Sequence, residues 1–297
     1  METIDVLTEA DARELLEAPD LIAVGIRADD VRRQLHGVRT TFVRVFEIRV
    51  DAPLTALPAR TAAGELRIAG RPATVEAAVA ATRATSALAS GTPVTGFALS
   101  DLQALASGAG RPLADVCAEL RSVGLYGIAE VAVDAAAAAS DPDAGADALV
   151  CAVGEARGAG LLVQRLVVSS LPADRRVAVA LAARRLHDSA GGFKAFAPLP
   201  RIVAVGEPAT GYDDIKVIAL ARLTAGIESI QVDWPLYGPK LAQVALTMGA
   251  DDVDGVAAYD PGLLGTRRSA VEEIRGNIRS AALEPIERNG RFEVIGV

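Results

Sequence analysis

The sequence predicts a single (β/α) barrel of the TIM type, complete or partly distorted, preceded by N-terminal helices. Short aliphatic or β-branched runs of strand length alternate with helical patterns along most of the chain, which is typical of a parallel α/β domain. Eight such runs can be counted, and this number favours a barrel over an open sheet. The glycine-rich turns GxGxxG and GxxxxGK[ST] do not occur, so nucleotide-binding folds of those kinds are disfavoured.

Two helices are expected before the first strand, which makes residues 1–40 a helical extension. Thr8 is a suitable N-cap for a helix over Glu9–Glu17, and a second helix is predicted over 29–35. The predicted strands are 41–50, 65–70, 94–99, 127–133, 161–169, 193–198, 227–234 and 253–259. The predicted later helices are 74–89, 100–107, 112–123, 148–157, 172–187, 213–225, 239–248 and 271–282.

Two segments are expected to lie outside this alternation. Residues 134–147 are rich in Ala, Asp and Gly, and we predict a mobile loop in their middle. Residues 260–297 are expected to add a C-terminal helix and a short terminal strand at 291–295. The whole chain, 1–297, is predicted to be one domain.

Composition excludes several classes of function. The net charge of −8 and the lack of a cluster of basic and aromatic residues argue against a nucleic-acid partner. No apolar run reaches the roughly 18 residues that a membrane span needs, and the acidic start does not read as a signal peptide. We therefore expect a cytoplasmic protein without a membrane partner. Two cysteines provide no disulfide framework.

Some polar residues stand out inside predicted strands. Glu47 and Arg49 share a strand face near the end where barrel active sites lie, although a plain structural or solvated pair is the favoured interpretation. Arg165 is a charge in an otherwise apolar strand. It could meet a carboxylate or phosphate of a ligand, but a structural partner such as Glu130 is favoured.

For the remaining acidic residues and histidines, the sequence favours structural roles over catalytic or metal-binding roles. Asp251, Asp252 and Asp254 fail the EF-hand spacing, and no metal site is predicted. His36 and His187 lie near predicted helix ends, where an imidazole complements the helix dipole. Neither histidine has a Ser, Cys and Asp arrangement that would indicate a hydrolase triad.

Several longer motifs are specific. GPKLAQVAL followed by GADDVDG, together with GGFKAFAPL and GYDDIKVIALARL further upstream, resembles the radical S-adenosylmethionine family of the futalosine route to menaquinone. Aminofutalosine synthase is the member it resembles above all. The resemblance covers most of the chain from about residue 94, and more weakly the first forty residues. It implies a barrel, a site at the barrel mouth, and a role in menaquinone biosynthesis.

One departure from that family concerns its cofactor. The resemblance implies a CxxxCxxC motif after the first strand, whose three thiolates hold a [4Fe–4S] cluster. Here residues 51–64 read DAPLTALPARTAAG, and the only cysteines are Cys117 and Cys151, inside helical patterns. We expect both to be buried structural thiols. We therefore expect no cluster, no radical chemistry, no other cofactor and no residual S-adenosylmethionine binding.

Other positions of the resemblance are only partly kept. Gly70 remains from a two-glycine turn, with Arg71 in place of its partner, and Glu130 remains from a glycine-rich motif. A Gly-His-x-Glu turn has become residues 167–170, VVSS. Asp233 and Trp234 match a position that lines the family's substrate pocket. The ligand-binding candidates are Gly70, Arg71, Arg165, Asp233 and Trp234.

Three hypotheses about function remain open. The first is a cluster-less, radical-incompetent relative that acts as a non-catalytic partner or ligand-binding protein near menaquinone biosynthesis. The second is an enzyme that uses acid–base chemistry, with Glu47, Glu130 and Asp233 as candidates. The third is half of a shared site with a cluster-bearing paralogue; self-association is a further possibility. A carboxylate and a cation meeting at an open cavity would favour the enzyme, whereas a mouth filled by Leu54 and Leu57 would favour the pseudoenzyme.

Overall fold

Parallel strands close into a barrel in the computed structural model, which describes residues 6–139, 142–202, 211–259 and 271–295. The strands are β1 (Arg39–Arg49), β2 (Glu65–Ala69), β3 (Val94–Ala98), β4 (Gly127–Ala132), β5 (Leu162–Val163), β6 (Arg165–Val168), β7 (Ala195–Pro200), β8 (Ser229–Asp233), β9 (Asp252–Ala257) and β10 (Glu284–Arg288). The helices are α1 (Glu9–Glu17), α2 (Leu21–His36), α3 (Val75–Leu88), α4 (Leu99–Gly108), α5 (Leu113–Ser122), α6 (Asp134–Ala137), α7 (Pro142–Gly158), α8 (Arg176–Ala190), α9 (Gly211–Thr224), α10 (Trp234–Leu246) and α11 (Val271–Ser280).

The strand order confirms the predicted TIM-type barrel. The sheet runs β1-β2-β3-β4-β6-β7-β8-β9, and β9 pairs with β1 again to close an eight-stranded ring. Every pairing in the ring is parallel. The short strand β5 continues into β6 after Gln164 and pairs with β4. Helices α3 to α10 connect the ring strands, as a (β/α) barrel requires.

The structure describes the two ends of the segment 134–147 and places the terminal strand elsewhere than predicted. Residues 134–137 lie in α6 and 142–147 in α7, because alanine has a high helix propensity. The mobile loop predicted in the middle of this segment falls on residues 140 and 141, which lie outside the described residues, and it stays a prediction. The terminal strand is β10, not 291–295, where Val294 makes only an isolated bridge to Arg288. The physical reason is an open edge: β2 pairs with β1 only over residues 45–49, so β10 covers the free edge of residues 39–43.

The second N-terminal helix is longer than predicted. Helix α2 begins at Leu21, and the side chain of Asp20 accepts the backbone N–H groups of Ile22 and Ala23, each at 3.0 Å. Helix α1 begins as expected, with a capping box between Thr8 and Asp11. None of the helices in the described ranges is long and apolar enough to cross a bilayer.

The main apolar core lies between the strands and the surrounding helices, with Phe42, Leu66 and Ile230 among its buried members. The inside of the ring is different, because several buried side chains there are charged or polar. They are Glu65, Arg67, Thr95, Arg165, Gln231, Asp252, Asp254 and Arg288. Barrels more often fill this space with branched aliphatic residues.

Candidate functional site

The centre of the barrel is an ion-pair network around Asp254. Its carboxylate accepts two hydrogen bonds of 2.8 Å from the guanidinium of Arg67 and a further one from Arg165. Arg67 also donates to Glu65 at 2.8 Å. Strands β2, β6 and β9 bring these residues together, since alternate side chains of each strand point into the ring.

The network determines the ionisation of its acidic members. Burial alone would raise the pKa of Asp254, but Arg165 and Arg67 outweigh it and hold that pKa well below the ordinary value. The pKa of Glu65 is likewise lowered, since its burial is outweighed by Arg67. Both carboxylates therefore stay charged inside the barrel, because each has a guanidinium partner.

A second pair lies nearer the amino ends of the strands. Arg288 of β10 donates to both carboxylate oxygens of Asp252, at 2.7 and 2.6 Å, and Gln231 donates to the same carboxylate at 2.6 Å. Asp251 accepts from Arg222 and from the backbone N–H of Ile230. These contacts support the structural role predicted for the acidic residues at the start of β9.

The barrel mouth holds a cavity of about 270 Å³ at the carboxyl ends of the strands. Its lining includes Glu47, Arg67, Gly70, Arg71, Asp101, Glu130, Arg165 and Arg201. Five residues predicted from sequence, Glu47, Gly70, Arg71, Glu130 and Arg165, thus meet at one place. This end of a barrel is where catalytic and binding residues of the fold are found.

Arg201 is the functional candidate that sequence reasoning missed. Its Nε lies 3.2 Å from Glu130 Oε2, and its Nη1 lies 3.6 Å from Asp233 Oδ2. The side chain directly follows β7, so the rule that selected Asp233 after β8 could have found it. Arg201 brings the carboxylates of β4 and β8 to one guanidinium.

Asp233 lies at the edge of this group and also shapes the backbone. Its Oδ1 accepts the N–H of Leu236 at 3.0 Å and caps α10. Burial, followed by the charge of Asp254, raises its pKa above the ordinary value. Trp234 is buried and does not line the mouth cavity as described, and its Nε1–H has no hydrogen-bond partner among the described residues.

Arg49 and Arg165 form ion pairs with residues other than the partners considered from the sequence. Glu47 and Arg49 are both exposed, as the solvated alternative expects, and Arg49 pairs with Asp51 at 2.7 Å. Arg165 approaches Glu130 only to 3.7 Å. Its main partner is Asp254, because the alternation of β9 turns that carboxylate into the ring.

Side chains of the β1–β2 connection do not fill the mouth cavity. Leu54 is 37% exposed, and Leu57 packs against the main core. Neither residue is part of the cavity lining. A cation and a carboxylate, Arg201 and Glu130, do line it.

The two histidines have structural surroundings. His36 ends α2, and its Nε2 lies 2.8 Å from the carbonyl oxygen of Glu228 and 3.3 Å from Asp251 Oδ2. His187 lies in the last turn of α8, where burial lowers its pKa. Both positions agree with the predicted helix ends, and neither histidine lines the mouth cavity.

The residues present do not fit a [4Fe–4S] cluster. Cysteine thiolates hold such a cluster, three of them in the family that the chain resembles, whereas this sequence has two cysteines and none in residues 51–64. Cys117 is buried in α5, where burial raises its thiol pKa to about 11, and Cys151 is exposed on α7, which corrects the prediction that both are buried. Within the described ranges no group of three or more His, Cys, Asp and Glu side chains could hold a metal ion.

Similarity to known proteins covers part of the chain. No family model matches. Aminodeoxyfutalosine synthase of Streptomyces coelicolor is 33% identical over 142 residues, which is 40% of this chain and 37% of that protein. The 5-amino-6-(D-ribitylamino)uracil–L-tyrosine 4-hydroxyphenyl transferase of Methanococcoides burtonii is 33% identical over 138 residues, 40% of this chain and 39% of the relative. The matches thus span well under half the length of these curated relatives.

Solved structures share the fold at low identity. Methylornithine synthase superposes with a TM-score of 0.63 at 15% identity, covering 94% of both chains. The FeFe-hydrogenase maturase HydG from Carboxydothermus hydrogenoformans superposes with a TM-score of 0.65 at 11% identity, covering 95% of this chain and 76% of that one. The resemblance stated from the motifs is therefore confirmed: the chain is a homologue of aminodeoxyfutalosine synthase over part of its length, on a TIM-type barrel.

Proposed function

We propose that this protein is a cluster-free, radical-incompetent relative of aminodeoxyfutalosine synthase that binds a small polar ligand at the barrel mouth. It would serve as a non-catalytic partner or ligand-binding protein associated with menaquinone biosynthesis by the futalosine route. The observation that carries the proposal is that residues 51–64 offer no thiolate for a cluster. The open cavity lined by Glu130, Arg165 and Arg201 supports the binding of a ligand.

The position of the cavity supports ligand binding. Barrels place their binding residues at the carboxyl ends of the strands, and a concave site with a few convergent polar groups is the usual form of a small-molecule site. At about 270 Å³ the cavity would suit a ligand at the small end of the range. The assignment to this pathway rests on the relatives alone, which is an argument by homology.

The experiment that tests the proposal is anaerobic reconstitution with iron and sulfide. We expect no stoichiometric cluster absorption and no cleavage of S-adenosylmethionine, because three converging thiolates are missing. The Streptomyces relative provides the positive control under the same conditions. A stoichiometric cluster that cleaves S-adenosylmethionine would refute the proposal. Co-purification with a cluster-bearing paralogue would instead support a shared site.

A second candidate function is acid–base catalysis on a polar substrate. The open mouth favours it by the criterion stated from the sequence, since a carboxylate and a cation meet there and Leu54 and Leu57 do not fill it. Arg201 lies between Glu130 and Asp233, and the pKa of Asp233 is raised by burial. A carboxyl group whose pKa moves toward neutrality is better suited to exchange protons at physiological pH. If turnover of any futalosine-like nucleoside is found, its loss in Asp233→Asn with retained binding would identify this role.

A further inference from the structure

Two guanidinium groups converge on one carboxylate oxygen at the barrel mouth. Arg201 Nε lies 3.2 Å and Arg165 Nη2 lies 3.7 Å from Glu130 Oε2. The longer contact exceeds hydrogen-bond distance. The shorter one lacks hydrogen-bond geometry, and Arg201 Nε has no hydrogen-bond partner among the described residues. Donors on both arginines are therefore poorly used by the acceptor between them.

Contacts with residues inside the barrel hold the guanidinium of Arg165 in this orientation. Its Nε donates to the carbonyl oxygen of Ala129 at 3.0 Å, and its Nη1 donates to Asp254. These contacts occupy the side of the guanidinium that faces the barrel interior, and Nη2 is left beside the mouth cavity. The residue is only 5% exposed, so its geometry is already fixed before a ligand arrives. Such preorganisation reduces the entropic cost of binding.

We propose that Arg165 and Arg201 form a binding site for the oxyanion group of the ligand, a carboxylate or a phosphate. This inference rests on the proposed function, since it assigns a chemical class to the ligand of the same mouth. An incoming oxyanion would accept hydrogen bonds from Arg165 Nη2 and Arg201 Nε and would compete with Glu130 for both. Planar guanidinium groups suit carboxylates and phosphates because their N–H groups match the spacing of the oxygens.

The competition with Glu130 makes opposite predictions for two variants. Arg201→Gln removes one cation and should weaken oxyanion binding about 10-fold or more, as expected for one charge-assisted hydrogen bond. Glu130→Gln removes the competing charge and should strengthen oxyanion binding several-fold. If the mouth instead binds a cationic group through Glu130, the two effects reverse sign.

The measurement uses the full chain at constant ionic strength, titrated with malonate and, separately, with inorganic phosphate. Malonamide is the uncharged control. Calorimetry and the fluorescence of Trp234, the single tryptophan, report binding, because that residue adjoins Asp233 beside Arg201. Arg83→Gln, on the exposed face of α3, removes the same charge far from the mouth and should bind the anions as the wild type does.

The results of these titrations either support or overturn the oxyanion site. Saturable binding of either anion that is weakened in Arg201→Gln and strengthened in Glu130→Gln supports the site, and the anion preferred distinguishes a carboxylate from a phosphate. No saturable binding by the wild type, or unchanged binding by Arg201→Gln, overturns it. If Arg201→Gln does not fold, Arg201→Lys should weaken binding less. If neither anion binds and reconstitution with iron and sulfide forms no cluster, the oxyanion site is refuted and the proposed function still stands. Cluster formation would refute the proposed function separately.

Discussion

Asp254 should be among the acidic residues that contribute most to stability, and Asp254→Asn tests this. The substitution keeps the shape of the side chain but removes the charge that faces Arg67 and Arg165 inside the barrel. Arg67 would retain Glu65 at 2.8 Å, while Arg165 would retain mainly the carbonyl oxygen of Ala129. Breaking a buried pair costs about 3–5 kcal/mol because it leaves uncompensated buried charge. We expect the free energy of unfolding to fall by about 4 kcal/mol.

Urea unfolding followed by the fluorescence of Trp234 measures that change, since this tryptophan is 1% exposed in the folded chain. Asp51→Asn is the matched control: its pair with Arg49 is exposed at the surface, where solvent screens the charges, and its loss should change the free energy of unfolding far less than Asp254→Asn does. Equal losses in the two variants would refute the reasoning, because they would mean that burial of the pair adds nothing.

The same residue predicts a dependence on pH. The folded-state pKa of Asp254 is lowered, so its contribution to stability is complete above the unfolded pKa of about 3.9 and is lost as the pH falls through the folded value. The difference between wild type and Asp254→Asn should therefore be constant from neutral pH to about pH 5. It should shrink in more acidic solution; a difference that grew there would contradict the assignment.

Two further predictions concern the reactivity of the cysteines and a glycine of strand β9. Cys151 is exposed and should react with Ellman's reagent within the mixing time of a manual assay. Cys117 should react only on unfolding, because it is buried and the pKa of its thiol is raised to about 11. Comparable rates for the two thiols in the folded chain would contradict this prediction. Gly255→Ala should lower the free energy of unfolding by about 2–4 kcal/mol, since its φ is +74° and an added Cβ would lie 2.8 Å from the ring of Pro235. Gly154→Ala, in an open helical position of α7, should instead be neutral or stabilising by up to about 1 kcal/mol. Thermal unfolding that ranked the two variants alike would show that the backbone at Gly255 in β9 is unstrained.

Local patterns predicted most of the elements because their causes are local. Thr8 with Asp11 builds a capping box that its own neighbours satisfy, and the apolar run of β8 needs no distant residue to be recognised. Strand β10 escaped prediction because EPIER has no apolar alternation. It becomes a strand only because the first residues of β1 leave an edge open.

By itself the sequence determined the barrel, the family resemblance, and the absence of cysteine from residues 51–64, since these depend on composition, period and motif. Only the tertiary structure decided that Arg201 meets Glu130 and Asp233, and that Asp254 rather than Glu130 is the main partner of Arg165. The physical reason is that ring closure sets which strand ends face each other. Residues far apart in the chain thereby become electrostatic partners, and no local period encodes which of them will meet.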